Sequence, residues 1–345
     1  MKKKMFSVLL VCSIAALIFM ACSEAKPVET TATATAEVPR QTYYYIAPGL
    51  GQPYCYDMHL GFKYAAEQFN CEIIQQGGDD WNSTPAAQAL EQIIPRKPAG
   101  IITVAWDPAM NPGIIKAQEA GIPIILVEAE SGEFGDLYIG LDNVDAGRET
   151  AELLLQYGGN SGKLLVIGNW GSTNIDQKFI GLKEILAGTG WQIVGDQDSD
   201  ADAETSLRAA KDLLNLHPDA TAFVGLDSAC GAGIATAMEE LGMAPGSLTV
   251  ICADREDAML EFIKSGYINA ALTNRTAMMC YLAVQFLENI TKYGFFDIPI
   301  TANNNAAGIS VYPKQVYTGN VIITKDNVND FDHNQMDSYD TPLYH

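Results

Sequence analysis

Short apolar runs alternate with amphipathic helical patterns along most of this chain, and this alternation constrains its fold more than any other feature. The first part carries four such runs: YYYIA at 43–47, EIIQ at 72–75, GIITVAW at 100–106 and PIILV at 123–127. Between the first two runs, apolar side chains follow the spacing of one helix face at Met58, Phe62, Ala65 and Phe69. Strands and helices in strict alternation predict βαβ units and a parallel sheet.

After LYIGL at 137–141 and a helical stretch near 147–157, the same rhythm starts again. Five further apolar runs follow: KLLVIG, WQIV, TAFVGL, LTVICA and INAALT. Helix-ending signals such as GIP at 121–123 and HP at 217–218 precede new strands. The chain after residue 41 is also too long for one average domain. We therefore predict two α/β lobes of about five strands each, with no obvious sequence repeat.

The N-terminal stretch MKKKMFSVLLVCSIAALIFMAC has the pattern of an export signal. Its apolar stretch is shorter than the roughly 20 residues of a membrane-spanning helix. The stretch ends in Phe19-Met20-Ala21-Cys22, which resembles a bacterial lipoprotein box, so we predict a signal peptide at 1–21 and a lipidated Cys22. An ordinary signal peptide with an incidental cysteine is the alternative. Residues 22–40 are predicted to be a flexible tether, because they have too few aromatic residues to bury a core.

The chain is strongly acidic, with 42 acidic and 21 basic residues and a formal net charge of −21 at pH 7. Nucleic acids and anionic membrane surfaces attract positive charge, so this balance argues against both as partners. The lipid anchor is then the only expected contact with a membrane. The tail at 329–345 is acidic as well, and no function is predicted for it.

Cysteine and histidine patterns give no sign of a metal site, a disulfide framework or a catalytic centre. Five of the seven cysteines lie outside the signal and the lipidation position, and they form no Cys-x-x-Cys pair. We predict that most are buried small apolar side chains. None of the four histidines has an evident catalytic partner, and a nucleophile at Cys230 stays an unsupported alternative. GAGIAT at 231–236 mimics part of a dinucleotide fingerprint, but it predicts helix packing. We expect no catalytic residue, metal or cofactor.

Polar and aromatic residues collect where the predicted strands end. In open parallel sheets, ligands bind beyond the carboxyl ends of the strands. The residues at these ends are Gly51 to Tyr56, Gln76 to Trp81, Trp106-Asp107, Glu128, Asp142-Asn143, Asn169 to Asn174, Asp227-Ser228, Asp254-Arg255 and Asn274-Arg275. Aromatic rings stack on a sugar ring, and carboxylates and amides bond its hydroxyls, so the set favours a sugar-like ligand.

Taken in order, these segments resemble the sugar-binding family of periplasmic solute receptors for ABC transporters, the ribose- and galactose-binding type. The resemblance covers essentially the whole chain after residue 41 and includes YYYIAPGLGQPYCYDMHLGFKYAAEQ, GIPIILVEAE, YIGLDNVDAG, VICADR and INAALTN. It implies an α/β fold of two doubly wound parallel-sheet lobes joined by a three-crossing hinge, the type 1 periplasmic binding protein fold. The implied lobes are 41–142 plus 275–317 and 143–274 plus 318–328.

The resemblance also implies ligand-binding residues. Gln52 and Tyr54 match the outer residues of an Asn-Pro-Phe motif whose aromatic ring contacts the sugar. Gly49 and Gly51 would let the backbone of that turn come close. Asp254 matches a carboxylate at a strand end of the second lobe. The amide just before the chain returns to the first lobe is matched by Asn274.

Three matched positions depart from the family pattern, and one of them is Leu226, where many members have a polar Asn. Glu128 stands in place of an Asp that an Arg usually follows, and Lys178 stands in place of a binding Arg. Lysine does not reproduce the bidentate geometry of arginine, so the particular sugar stays open. The predicted ligand-binding set is completed by the strand-end residues Trp106, Asp107 and Asp227.

Several of these assignments have a structural alternative. Tyr54 can pack on its own helix instead of facing a cleft. Asp254 can cap the helix that follows it, and Asp142 is predicted to cap the helix at the first crossing. Packing at the rim or within a loop is the alternative for the tryptophans Trp81, Trp106 and Trp170.

Together, these features predict a monomeric extracytoplasmic lipoprotein that captures a small sugar or polyol and delivers it to the permease subunits of an ABC importer. Two other functions stay open on the sequence alone. The first is a sensor-type receptor that presents a sugar-like signal to a membrane signalling partner. The second is a secreted enzyme.

Overall fold

Two six-stranded sheets form the framework of the described chain, which in the computed structural model comprises residues 40–293, except 131 and 133, and residues 313–331. The predicted signal peptide, Cys22, the tether up to residue 39 and the tail from residue 332 lie outside the described residues. Within those residues, no helix is long and apolar enough to cross a membrane.

The first sheet is parallel throughout. Its strands are β1 (Thr42–Ala47), β2 (Glu72–Gly77), β3 (Ile101–Thr103), β4 (Ile124–Glu128), β5 (Leu137–Gly140) and β11 (Gln315–Tyr317). Their order is β11-β5-β4-β3-β1-β2. The helices that connect β1 to β4 are α1 (Tyr56–Phe69), α2 (Ser83–Ile93) and α3 (Asn111–Glu119).

The second sheet repeats this arrangement. Its strands are β6 (Ser161–Gly168), β7 (Gly190–Asp198), β8 (Ala222–Gly225), β9 (Thr249–Ala253), β10 (Ala270–Thr273) and β12 (Val321–Thr324). Their order is β12-β10-β9-β8-β6-β7, and β12 runs antiparallel to β10. The helices of this half are α4 (Asn143–Gly158), α5 (Thr173–Leu186), α6 (Ala203–Leu216), α7 (Cys230–Glu240) and α8 (Asp257–Ser265).

A last helix, α9 (Thr276–Tyr293), packs against α1 and therefore belongs with the first sheet. We call the first sheet with α1 to α3 and α9 the first lobe, and the second sheet with α4 to α8 the second lobe. Each sheet carries apolar side chains on both faces. In β1, for example, Tyr45 packs in one core with Phe62, and its neighbour Ile46 packs in another with Leu90. This layering confirms the predicted α/β class with two doubly wound sheets.

Two details of the predicted strands are corrected. Each sheet has six strands rather than about five, because β11 and β12 come from the end of the chain. These two strands have three and four residues, which is too short for a clear alternation of apolar and polar side chains. The predicted strand at 100–106 ends at Thr103, where its pairing with β1 stops. Trp106 therefore lies in the loop beyond β3.

The chain crosses between the lobes three times, at 141–142, 274–275 and 318–320. At the first crossing, the Asp142 carboxylate accepts a hydrogen bond from the Asp145 backbone N–H at 3.0 Å. This bond satisfies a free donor in the first turn of α4 and confirms the predicted capping role. Just before it, the Tyr138 hydroxyl lies 3.0 Å from the Glu128 carbonyl oxygen, which ties the crossing to the end of β4.

Helices α4 and α5 pack at very short range through two glycines. A Cβ on Gly147 would lie 1.9 Å from the Lys178 carbonyl oxygen, and a Cβ on Gly181 would lie 1.9 Å from the Val144 carbonyl oxygen. Only residues without a Cβ allow this approach. The contact fixes the backbone of Lys178 against the first helix after the crossing.

The structure also answers two smaller questions that the sequence raised. In α7, a Cβ on Gly231 would meet the Met259 sulfur at 2.4 Å, and a Cβ on Gly233 would meet the Ser206 Cβ at 2.7 Å. The GAGIAT run therefore serves helix packing, as predicted. All five described cysteines are free and buried, which confirms their expected role as small apolar side chains.

Candidate functional site

A cavity of about 350 Å³ lies between the carboxyl ends of the two sheets. In each sheet the strand order reverses once, between β1 and β3 and between β6 and β8. Loops diverge at such a point and leave a crevice, which is where open α/β sheets bind ligands. The residues that line the cavity include Tyr54, Trp81, Trp106, Asp107, Asn169, Trp170, Asn174, Lys178, Asp227, Asp254 and Asn274.

The turn after β1 brings an aromatic ring to this cavity. Pro53–Cys55 form one 3-10 turn that leads directly into α1, and Tyr54 at its centre lines the cavity. The preceding Gln52 does not line it, because its side-chain amide donates to the Asp79 carbonyl oxygen at 3.0 Å. Gly49 has a positive φ of 74°, and a Cβ there would lie 2.5 Å from the Trp81 ring. The close approach at Gly49 is thus made by a tryptophan.

Tyr54 joins a buried hydrogen-bond network that links three distant parts of the chain. Its hydroxyl donates to one carboxylate oxygen of Glu128. The side-chain amide of Asn274 donates to the other oxygen at 2.7 Å, and its nitrogen lies 3.0 Å from the Tyr54 hydroxyl oxygen. Glu128 is fully buried, and this burial raises the pKa of its carboxyl group although both hydrogen bonds oppose the shift. The network holds Tyr54 and Asn274 at the cavity wall.

Three aromatic rings form one corner of the cavity, and we call Tyr54, Trp81 and Trp106 the aromatic corner. Ring centroids are 6.3 Å apart for Tyr54 and Trp81, 6.3 Å for Tyr54 and Trp106, and 5.5 Å for the two tryptophans. The rings are inclined to one another by 52° to 78°. Such edge-to-face contacts stabilise each ring and leave ring faces for a ligand.

On the opposite wall, Asp254 follows β9 and is 6% exposed. Burial raises the pKa of the Asp254 carboxyl group to about 7, with Lys178 opposing the shift and Glu128 and Asp227 adding to it. The alternative role as a helix cap is wrong, because Glu256 occupies the N-cap position of α8. Among the described residues, none donates a side-chain hydrogen bond to Asp254.

Asp227 and Lys178 lie on the same wall. The Asp227 carboxylate accepts hydrogen bonds from the Ser199 hydroxyl at 2.6 Å and from the Ala229 backbone N–H at 2.9 Å. Burial raises its pKa, and these hydrogen bonds oppose the shift. Lys178 is 6% exposed, and in the described chain it forms no salt bridge within 4.0 Å. Its ammonium group therefore faces the cavity among carboxylates that it does not touch.

Glu128 and Asp254 are equivalent in the two lobes, which the sequence did not reveal. Each lies at the carboxyl end of the fourth strand of its sheet, counted from the outer β2 or β7 edge. Each also has a left-handed backbone, with φ of 70° and 71°. A side chain other than glycine in this region costs on the order of 1 to 3 kcal/mol, and such strain gathers at functional sites. The two lobes thus present one strained carboxylate each to the same region.

The predicted ligand-binding set left out two groups that follow β6, one in the loop and one in the first turn of α5. The Asn174 side-chain oxygen and the Trp170 ring nitrogen are buried without a hydrogen-bond partner, and both residues line the cavity. Asn174 is 9% exposed. The run NWGSTN at 169–174 directly after a strand carries the same signal as the other strand ends. Asp107 also lines the cavity, and one of its carboxylate oxygens caps the turn before α3 through the Ala109 N–H at 2.8 Å.

The lobes touch each other next to the cavity. Thr173 at the start of α5 donates its backbone N–H to the Trp106 carbonyl at 3.1 Å and its hydroxyl to the Ala105 carbonyl at 2.8 Å. Arg255 of the second lobe forms a largely buried ion pair with Asp57 of the first lobe. These contacts describe two lobes that are closed on the cavity.

Two features of the described residues bear on the metal-site and nucleophile alternatives. Among the described residues, no cluster of His, Cys, Asp and Glu has the arrangement of a metal site. Burial raises the pKa of the Cys230 thiol well above its usual range, which is the opposite of an activated nucleophile. Its sulfur instead lies 3.4 Å from the Ile167 carbonyl oxygen.

Comparison with known proteins gives a consistent result. The family described as periplasmic binding protein domain matches residues 43–294. The D-ribose/D-allose-binding protein of Pseudomonas aeruginosa is 26% identical over 286 residues, which span 79% of this chain and 88% of that protein.

Two solved structures are similar over most of the chain. The arabinose-binding protein of Geobacillus stearothermophilus has 30% identity and a TM-score of 0.72, covering 85% of this chain and 100% of that one. The sugar-binding protein of a sugar ABC transporter from Bacillus halodurans has 26% identity and a TM-score of 0.75, with the same coverage of 85% and 100%.

Proposed function

The chain belongs to the periplasmic binding protein domain family, and from this we propose that it captures a small sugar between its two lobes and delivers it to an ABC importer. Membership of this family indicates an extracytoplasmic location. The named relatives bind ribose or allose, arabinose, and the sugar of an ABC transporter. We propose that this chain also binds a small sugar, and the proposal does not specify which one.

One observation supports the proposal most strongly. The cavity lies where the strand order of each sheet reverses, and it combines aromatic ring faces with hydrogen-bond acceptors and donors. Its volume of about 350 Å³ suits a small ligand that is mostly enclosed. The aromatic corner offers faces for the C–H side of a sugar ring. Asp254 and Asn174 accept hydrogen bonds from hydroxyl groups, and Lys178 and the Trp170 ring nitrogen donate to them.

The proposed ligand contacts follow from this division of roles. We propose direct contact for the cavity-lining residues of the predicted set, which are Tyr54, Trp106, Asp107, Lys178, Asp227, Asp254 and Asn274. Glu128 has both carboxylate oxygens occupied by Tyr54 and Asn274, so its proposed role is to position them. Gln52 bonds the Asp79 carbonyl and is left out of the proposed contacts.

The proposed lobe boundaries are those of the sequence prediction, 41–142 plus 275–317 and 143–274 plus 318–328. They place each crossing at a boundary, because the strands on either side of it belong to different sheets. With Cys22 as the attachment point, residues 22–40 would keep both lobes near the membrane that holds the importer.

A thermal-shift screen over pentoses, hexoses and polyols tests the proposed function directly. A ligand at 100 times its dissociation constant stabilises the folded protein by about 2.7 kcal/mol, so a true ligand raises the melting temperature clearly. The Trp106→Ala variant should lose most of this shift. The exposed Tyr157, which lies on α4 outside the cavity, supplies the matched control Tyr157→Ala. The proposal is wrong if no sugar stabilises the native protein.

Ligand binding is expected to compact the protein. The ligand contacts residues of both lobes, so it favours the closed form over an open one by its additional contacts. The cross-lobe bonds of Thr173 and Arg255 form only when the lobes meet. Small-angle scattering should therefore show a smaller radius of gyration once a verified sugar saturates the protein. An unchanged radius would count against lobe closure.

Removal of Cys22 is expected to release the protein from the membrane. One acyl-bearing residue at the end of the tether is the proposed anchor, and the acidic body offers no attraction to anionic lipids. Cys22→Ala should move the protein from the membrane fraction to the soluble fraction of cells. Cys12→Ala, inside the predicted signal, is the matched control and should leave the distribution unchanged. A Cys22→Ala protein that stays in the membrane fraction after signal removal would contradict lipid anchoring.

A further inference from the structure

The charges around the cavity do not balance. Glu128, Asp227 and Asp254 are 0%, 7% and 6% exposed, and each has Lys178 as an electrostatic neighbour. Among the described residues that line the cavity, Lys178 is the sole basic one. Within the cavity lining, Lys178 is thus the single cation for these carboxyl groups, and the Arg255 guanidinium, which also acts on Asp254, is paired with Asp57. Buried charge is costly unless it is paired, so the site as it stands has a demand for positive charge.

Of the three carboxyl groups, Asp254 is the one that most lacks a positively charged or hydrogen-bonding partner among the residues that the structure describes. Hydrogen bonds from Tyr54 and Asn274 occupy Glu128, and those from Ser199 and Ala229 occupy Asp227. Asp254 has no such partner in the described chain and lines the cavity, while Lys178 forms no salt bridge within 4.0 Å. Among the described residues on this wall, the carboxylate oxygens of Asp254 are therefore the acceptors that remain free. Burial is the main cause of the raised pKa of this carboxyl group, about 7, and a cation beside it would favour its ionised form.

Two other features of the cavity suit a positively charged group. The side-chain oxygen of Asn174 is a second buried acceptor without a partner. Across the cavity, the aromatic corner offers ring faces, whose negative electrostatic potential attracts cations. A bare metal ion fits less well, because the acidic groups do not cluster as metal ligands in the described chain.

We propose that the preferred ligand is a monosaccharide that carries a protonated amino group, and that this group lies beside Asp254. The inference rests on the proposed sugar-binding function and specifies the ligand class. An ammonium group donates up to three hydrogen bonds and supplies the missing charge. A neutral sugar of the same shape fills the same volume and leaves the charge of the cavity unbalanced.

Calorimetric titration of the purified full-length protein with matched sugar pairs tests the inference. The pairs are D-glucosamine with D-glucose, D-galactosamine with D-galactose and D-mannosamine with D-mannose, at a pH below the pKa of the sugar amine. In at least one pair, the amine should bind tenfold or more tightly than the neutral sugar. Equal or tighter binding of the neutral sugars overturns the inference and leaves sugar binding intact. Absence of binding by amino and neutral sugars alike overturns both proposals.

Two variants with opposite charge changes separate an electrostatic role from a structural one. Asp254→Asn should reduce the amine-to-neutral affinity ratio towards 1, since it removes the charge and keeps the shape. Lys178→Met should increase the ratio, because it removes the cation that competes with the ligand. Asp212→Asn, at an exposed position of α6, is the control and should leave the ratio unchanged. If both cavity variants change the ratio in the same direction, charge does not select the ligand.

Discussion

Asp254→Asn is expected to be more stable than the native protein at pH 8 in the absence of ligand, although it binds sugar more weakly. Burial raises the pKa of the Asp254 carboxyl group to about 7, from its ordinary value of 3.8. The folded protein therefore holds this proton more tightly than the unfolded chain does. The contribution to stability is complete below about pH 4 and is lost as the pH rises through about 7.

The size of the effect follows from the same shift. About three pKa units correspond to an upper bound of about 4 kcal/mol between the protonated and ionised forms at pH 8. Asparagine is neutral at every pH, has nearly the same shape and tolerates the left-handed backbone at this position. Urea unfolding should show little difference between variant and native protein at pH 4 and a gain for the variant at pH 8. The exposed Asp212→Asn is the matched control and should show no pH-dependent gain.

The loss of binding has a separate cause. A hydrogen bond to a charged group contributes roughly 1.5 to 3 kcal/mol, so removal of the carboxylate should weaken sugar binding about ten- to a hundredfold or more. Asp254→Ala should show the same loss. A variant that is less stable at pH 8, or that binds sugar with native affinity, would show that Asp254 does not have the proposed place in the site. Gain of stability and loss of affinity together are typical of strained functional positions.

The alternation of apolar runs was sufficient to predict both sheets and most of their strands. It could do so because strands covered on both faces need continuous apolar sequence, and this requirement is local. The two short strands β11 and β12 escaped, since three or four residues carry too little pattern. The last strand of each sheet is therefore recognised from its pairing with β5 or β10 in the structure and not from its own sequence.

Most of the residues that line the candidate site could be predicted from the sequence, but few of their contacts could. Strand ends located Tyr54, Trp106, Asp227 and Asp254, because the carboxyl edge of a parallel sheet follows from strand direction. The network of Tyr54, Glu128 and Asn274 joins residues up to 220 positions apart, and no local pattern encodes such a contact. Likewise, the sequence did not show that the Gln52 side-chain amide donates to the Asp79 carbonyl oxygen instead of lining the cavity.

Lys178→Met is expected to destabilise the folded protein more at pH 8 than at pH 5. Lys178 favours the ionised forms of Glu128, Asp227 and Asp254, all of which are buried. Removing the cation leaves these carboxylates to repel one another, and because Lys178 acts on them without a direct contact, we expect a cost of about 1 to 3 kcal/mol. At pH 5 protonation of the Asp254 carboxyl group, whose pKa burial raises to about 7, removes part of this penalty. Urea unfolding at the two pH values measures the difference.

A double-mutant cycle decides whether this cost is electrostatic. In the Asp254→Asn background one of the three carboxylates is already neutral, so Lys178→Met should cost at least about 1 kcal/mol less at pH 8 than in the native background. The half-buried Lys211, which pairs with Glu240 at the surface, provides the control Lys211→Met, whose cost should be below about 1 kcal/mol and independent of Asp254. Additive effects of the two cavity variants would mean that the Lys178 side chain stabilises this wall through its packing instead of through its charge.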